Sequence, residues 1–342
     1  MRVAVLGATG FVGGAVVSEL ARHGVRVRAA TRGGAAGNAP AAGGCVEWVR
    51  ADLTRPGTLH GFCTGVDVLL QLASHIGGDV ATCEAVNARG TAAAVAEARR
   101  AGVRNVVLLS TAAVYGHGPH RGIDVGEVRP APVSAASSTR LAAETCVLAV
   151  GGTVLRAGLV LGAGDRWVVP ALADAVRRVP VWWDGGEALL SVVQVTELAR
   201  LIAGFARASF GTAERAAVSR TLAGVHHAAH FRPVAVRELI TALDEYGILR
   251  APVHSAPMEH CLAQLDVSPG WVSRRQFLLL GQDNWYRSDL AWRLAGVTPA
   301  AHPLDGLAGA AAWYRNHLGT TAVCSRPVQP PVGMPSMPVP AL

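Results

Sequence analysis

Lysine is absent from all 342 residues, so arginine carries every fixed side-chain cation in a chain of formal net charge +7. Alanine, glycine and arginine are abundant in its place, which reads as GC-rich coding bias. The arginines are dispersed rather than grouped with aromatics. That pattern excludes a nucleic-acid surface and leaves a general attraction for anionic cofactors. No run of 18 apolar residues occurs, so no membrane span is expected. The first strand pattern starts at once with no basic segment ahead of it, so no signal peptide is expected. Six cysteines (Cys45, Cys63, Cys83, Cys146, Cys261, Cys324) lie scattered, with no C-x-x-C pair. Neither a zinc site nor a disulfide framework follows, no metal is expected, and free thiols fit a cytoplasmic protein. Tyrosine is scarce, with four in the chain.

What is present is concentrated at the start, MRVAVLGATGFVGGAVVSELARHG. Residues 2–6 form a short apolar run of strand type. Gly7, Gly10 and Gly13 then make a G-x-x-G-x-x-G turn. From Phe11 onward Val12, Val16 and Leu20 recur at helical spacing, and Gly24 is a natural stop. Strand, glycine turn and helix together are the context a dinucleotide fingerprint requires. Glycine lets the backbone approach a pyrophosphate, whose charge sits at the helix N-terminus. A structural glycine turn is the plainer alternative.

Further strands are expected at 25–30, 46–50, 66–72, 105–109 and 153–156, and helices at 82–101, 138–150 and 166–178. Strands alternating with helices imply right-handed βαβ units and a doubly wound parallel sheet of Rossmann type. In such sheets ligands sit beyond the carboxyl ends of the strands. Gly7, Arg32, Asp52, Ser74, His75 and Thr111 all fall there, which points to one shared site. Arg32 stands where NAD-binding folds usually carry an acidic residue for the ribose 2′-hydroxyl. An arginine suits a 2′-phosphate, so NADPH is favoured, with NADH possible. Past residue 180 the pattern becomes irregular, with helices at 196–207, 236–246 and 304–317. The organisation expected is a cofactor domain over 1–180, a smaller C-terminal α/β substrate region over 181–318 with some elements returning to the first, and a Pro-rich flexible tail over 319–342. Residues 33–44 read as a Gly/Ala-rich loop, and 255–285 as a candidate lid.

The motifs GATGFVG (7–13), ADL (51–53), LAS (72–74), NARGT (87–91), STAAVYG (110–116), RLAAE (140–144), LRAGLVLG (155–162), PVAVREL (233–239) and AAWYRNHL (311–318) resemble the extended short-chain dehydrogenase/reductase family over roughly residues 1–318. The resemblance implies an NAD(P)-dependent oxidoreductase. It assigns Gly7, Thr9, Gly10, Phe11, Val12 and Gly13 to the cofactor turn, and Asp52 and Leu53 to the adenine. Ala73 and Ser74 would line the ribose and the 157–160 loop, with Ala157 and Gly158, would cover the nicotinamide; Leu72, Ser110 and Arg140 are further cofactor-binding positions. The family's catalytic set is a Ser/Thr on the fifth strand and a Tyr-x-x-x-Lys on the next helix. STAAVYG places Thr111 at the hydroxyl position. RLAAE places Arg140 at the lysine and Ala136 at the tyrosine, one helical turn apart.

The general acid is therefore missing. Arginine stays charged and is a poor proton shuttle, although Arg140 can hold a ribose or polarise an oxygen. Losing a general acid costs about 10²–10⁴ in rate. Three readings follow. An aromatic polyketide ketone with an adjacent phenol supplies its own proton. Or another side chain is the acid: His75, Ser137, Ser138, His117 or His120. Or the chain senses or binds cofactor without catalysis. A nucleotide-sugar ketoreductase or epimerase is a weaker fourth reading, because the missing tyrosine serves several of its proton steps. For substrate contacts, His75, Tyr115, Ser137 and Trp182 are the candidates, with the apolar 167–169 stretch. Trp182 and Trp183 side by side suggest one ring buried and one exposed on a strand.

Overall fold

The computed structural model describes residues 1–33, 44–103, 105–208 and 222–323. Most of the Gly/Ala-rich loop expected over 33–44, and the Pro-rich segment from 324, lie outside the described residues. The chain opens with β1 (Arg2–Leu6), α1 (Phe11–Arg22), β2 (Arg26–Thr31) and β3 (Val46–Arg50). β4 (Val68–Gln71) leads into α2 (Val80–Cys83), a π-helical segment (Glu84–Arg89) and α3 (Gly90–Arg100), which run on as the long helix expected at 82–101. β5 (Asn105–Thr111), β6 (His120–Ile123), α4 (Ala135–Leu148), β7 (Thr153–Ala157), β8 (Leu159–Leu161) and α5 (Val168–Arg178) follow. Next come β9 (Trp182–Trp183), β10 (Leu189–Leu190), β11 (Val192–Gln194), α6 (Val195–Ala208), β12 (Gly224–Ala228), β13 (Val234–Ala235) and α7 (Val236–Glu245). The chain closes with β14 (Ser255–Ala256), α8 (Met258–Val267), α9 (Arg274–Gly281), β15 (Asn284–Tyr286), α10 (Asp289–Ala295) and α11 (Leu307–Val323).

Seven strands form one parallel sheet in the order β3-β2-β1-β4-β5-β7-β12, a Rossmann-type arrangement. A parallel sheet is covered on both faces, so its strands read as continuous apolar runs, and every residue of β4 and β7 is buried. Val3, Val5, Val68 and Leu70 face a core shared with α1, α6 and α10. Ala4, Leu6, Leu69 and Leu108 face the opposite core, against α3 and α4. A separate core joins α5, α7, α8, α9 and α11 around Trp183, Phe277 and Tyr314. Among the described residues no helix is long and apolar enough to cross a membrane.

Several expectations are corrected. α4 starts three residues earlier than 138, because Ser134 is its N-cap. Ser134 and Ser137 form a reciprocal capping box. α11 continues past Gly319, where a tail was expected to begin, since one glycine costs a helix only about 1 kcal/mol. Trp182 and Trp183 are both buried. Trp183 packs on Phe277 at 4.4 Å, and the Arg237 guanidinium covers the Trp182 ring at 4.3 Å, so both faces of β9 are occupied. β12 completes the large sheet from a stretch read as irregular, because two of its five residues are His226 and His227 rather than apolar.

Candidate active site

The carboxyl ends of β1, β2, β3, β4, β5 and β7 open into one cavity of about 870 Å³. Its floor is the turn after β1. Gly7 has φ +81°, and a Cβ there would lie 2.6 Å from the Ala73 amide nitrogen. A Cβ on Gly13 would lie 2.0 Å from the Gly7 carbonyl oxygen. Only glycine permits this close packing of turn, helix and β4 exit. Gly10 is the N-cap of α1, which has no side-chain cap and no acidic residue in its first turn. The backbone amides and dipole of that turn fit the pyrophosphate of a dinucleotide.

Thr9, Gly10, Phe11, Val12 and Gly13 line the cavity beside Gly7. Arg32 and Asp52 meet it at the ends of β2 and β3, with Leu53 beside them. The Asp52 carboxylate accepts the Thr54 backbone N–H at 2.9 Å and hydroxyl at 2.8 Å. Burial pushes its pKa up, but these bonds and the charges of Arg32 and Arg55 outweigh burial and lower it. Leu72, Ala73, Ser74 and His75 continue the wall from β4. Gln71 braces this exit, accepting the Ala73 N–H at 3.2 Å and donating to Thr91 at 2.8 Å.

At the end of β5, Ser110 and Thr111 line the cavity with Arg140 from α4 and Ala157 and Gly158 from the end of β7. Thr111 Oγ1 accepts the Ala113 N–H at 3.2 Å, which leaves its own proton free to be donated. Arg140 Nη2 donates to the Leu109 carbonyl at 3.0 Å, while its buried Nε has no partner. Burial pushes this guanidinium down to about 10 against the opposing charge of Glu144, so it stays charged at neutral pH. Glu144 also accepts the Ser110 hydroxyl and pairs with Arg156 at 2.6 Å, both carboxylate and guanidinium being buried.

Three substrate candidates stand away from the cavity wall. Tyr115 is buried, bonds His227 Nε2 at 2.7 Å and stacks on Tyr286 at 5.6 Å. Ser137 is engaged in the capping box, and Trp182 lies in the C-terminal core. Trp167 and Val168 do line the cavity, whereas Val169 is in the core, and no residue of 255–285 reaches the wall.

Thr82, Val86, Arg166 and Trp313 also line it and were missed. Trp313 was visible only as part of AAWYRNHL. Its place is set by a distant contact: Tyr314 donates to Asp165 at 3.0 Å and accepts the Gly162 N–H at 2.8 Å. Asp165 in turn accepts the N–H groups of Trp167, Val168 and Val169, capping α5 at the cavity rim.

Residues 3–215 match the NAD dependent epimerase/dehydratase family. The chain is 30% identical over 269 residues to the 4-hydroxy-2-methyl-3-oxo-4-farnesyl-3,4-dihydroquinoline-1-oxide ketoreductase of Stigmatella aurantiaca, covering 76% of this chain and 77% of that one. Among solved structures, gox2253 superposes with a TM-score of 0.71 at 20% identity over 93% of this chain and 98% of that one. MoeE5 in complex with UDP-glucuronic acid and NAD superposes with a TM-score of 0.66 at 22% identity, over 93% of this chain and 100% of that one. At these identities the two structures speak for the fold. With the glycine turn, the parallel sheet and the shared cavity at its carboxyl edge, these similarities establish that the chain belongs to the NAD-dependent epimerase/dehydratase family of extended short-chain dehydrogenases/reductases and is an NAD(P)-dependent oxidoreductase.

Proposed function

We propose that the chain is a ketoreductase that prefers NADPH and reduces one carbonyl of an aromatic polyketide of angucyclinone type in antibiotic biosynthesis, with the proton drawn from the substrate. The observation that carries this reading is the composition of the cavity wall. Where β5 meets α4 it holds the hydroxyls of Ser110 and Thr111 and the guanidinium of Arg140, and among the described residues no tyrosine lines it. Ala136 takes the place of the family's tyrosine one helical turn before Arg140. The same departure makes the chain resemble the angucyclinone ketoreductase of the simocyclinone antibiotic pathway. The Stigmatella relative is a ketoreductase whose name describes a 3-oxo fused-ring compound, which supports ketone reduction.

Bound NADPH would supply the hydride. Arg32, beside an Asp52 already engaged by Thr54, suits the 2′-phosphate. Thr111 donates its free proton as a hydrogen bond to the substrate carbonyl. Arg140 holds the ribose or draws charge onto the carbonyl oxygen without releasing a proton. A phenol next to the ketone is already hydrogen-bonded to that oxygen. Its proximity offsets the loss of about 10²–10⁴ that a missing general acid entails.

The experiment is NADPH oxidation, followed by absorbance, with aromatic polyketide ketones with and without an adjacent phenol and with a nucleotide-linked keto-sugar. Consumption confined to the phenol-bearing ketone is expected. Equal consumption without the phenol refutes the substrate-borne proton. Consumption with the keto-sugar alone returns the chain to nucleotide-sugar chemistry. Tight NADPH binding with no oxidation by any of them favours a cofactor sensor.

A further inference from the structure

Of the five side chains weighed as proton donors, His75 alone lines the cavity. Ser137 is engaged in its capping box, Ser138 and His117 are exposed, and His120 is buried against Tyr115 and Tyr286. The backbone around His75 is held more tightly than a loop requires. Asn87, 2% exposed, accepts the His75 N–H at 2.7 Å and donates to the His75 carbonyl at 2.9 Å. The same amide group donates to Thr139 Oγ1 at 3.0 Å, and Thr139 donates to the Ala135 carbonyl at 2.7 Å. One buried side chain thus ties the His75 loop to the first turn of α4, where Ala136 leaves the acid's place empty. Asn87 lies in the π-helical segment, whose wider turn is a feature found often at functional sites. Cys83 Sγ donates to the Gly77 carbonyl at 3.3 Å, fixing the loop further on. At Gly77 a Cβ would lie 2.6 Å from His75 Nε2, so the glycine leaves room for the ring.

We propose that His75 returns a proton to the substrate's phenolate after reduction, and that Asn87 is its positioning residue. This rests on the ketoreductase reading above. As the carbonyl carbon gains hydride, its oxygen takes the phenol proton and becomes the alcohol. The phenolate so formed takes a proton from the His75 ring, and the ring regains a proton from water.

The test is single-turnover and steady-state reduction of the phenol-bearing ketone by the full-length chain. His75→Ala is expected to lower kcat about 10²-fold, to accumulate the phenolate absorbance of the product, and to regain rate with added imidazole. Asn87→Ala and Gly77→Ala are expected to lower kcat with KM and NADPH affinity unchanged. In combination with His75→Ala neither should lower it further, as for residues acting through one group. The three atoms nearest the added Cβ of Gly77→Ala all belong to the imidazole, so this variant keeps the test open where Asn87→Ala fails to fold. Parental kcat and no phenolate band in His75→Ala overturn the proposal, as does a loss that imidazole leaves unrelieved. A parent inactive on every ketone overturns the ketoreductase reading and takes this proposal with it. An active parent with an indifferent His75→Ala overturns the histidine alone.

Discussion

Glu144→Gln tests the buried charge beneath the cavity. The Glu144 and Arg156 side chains are 1% and 6% exposed. Arg156 Nη2 meets one carboxylate oxygen at 2.6 Å, and its Nε reaches both at 3.1 and 3.2 Å. Ser110 donates to the same carboxylate, whose charge also opposes the burial of Arg140. Glutamine keeps the shape, removes the charge and turns an amide donor toward guanidinium groups. Breaking a buried pair from one side costs about 3–5 kcal/mol, since the remaining charge stays buried without its partner. With an unfolding entropy of about 2.1 cal/mol/K per residue, that is roughly 4–7 °C in Tm for this chain. Urea and thermal unfolding followed by circular dichroism measure it. Glu144→Leu combined with Arg156→Met is expected to recover much of the loss, because an apolar pair needs no desolvated charges. A loss below about 1 kcal/mol in the single variant, or a double variant no better than the single, refutes the reasoning.

Three more predictions follow from the same geometry. Gly13→Ala should abolish NADPH binding in a fluorescence titration, because its Cβ would lie 2.0 Å from the Gly7 carbonyl oxygen; near-parental affinity would mean the turn opens. Thr111→Ala should lower kcat less than about tenfold, and a loss of 10²-fold or more would place a general acid's burden on it and sink substrate-borne protonation. Burial pushes His227 from 6.5 down to about 4, so the unfolded chain takes up its proton first as pH falls. Stability should therefore drop from pH 6.5 toward 4, by about 3 kcal/mol from this group. Urea unfolding across that range checks it, and His227→Gln should flatten the profile; an unchanged slope in the variant would assign the loss elsewhere.

Much of the fold was legible because its signals are local. β1, the glycine turn and α1 declare themselves by spacing, and the buried strands by continuous apolar residues. β12 was obscured because His226 and His227 occupy sheet positions, neutralised by burial and bonded to Leu222, Tyr115 and Arg287. The start of α4 was misjudged because Ser134, Ser137 and Ser138 are equally good caps in isolation, and the reciprocal bonds of Ser134 and Ser137 select among them. Trp313 was not recognised as a wall residue because its position depends on Tyr314 reaching Asp165, 149 residues away.

By itself the sequence determined the parallel-sheet architecture, the edge of the sheet where the cavity opens, and the absence of any Tyr-x-x-x-Lys pair in a chain without lysine. Periodicity, glycine placement and composition are properties of neighbouring residues, so they survive without a structure. Only the tertiary structure decided which polar side chains face the cavity. Tyr115 is drawn inward by His227, 112 residues on, and His75 is set on the wall through Asn87 and Thr139, which lie 52 residues apart. A buried polar group goes where its hydrogen-bond partner is, and that partner is brought by the fold rather than by the chain beside it.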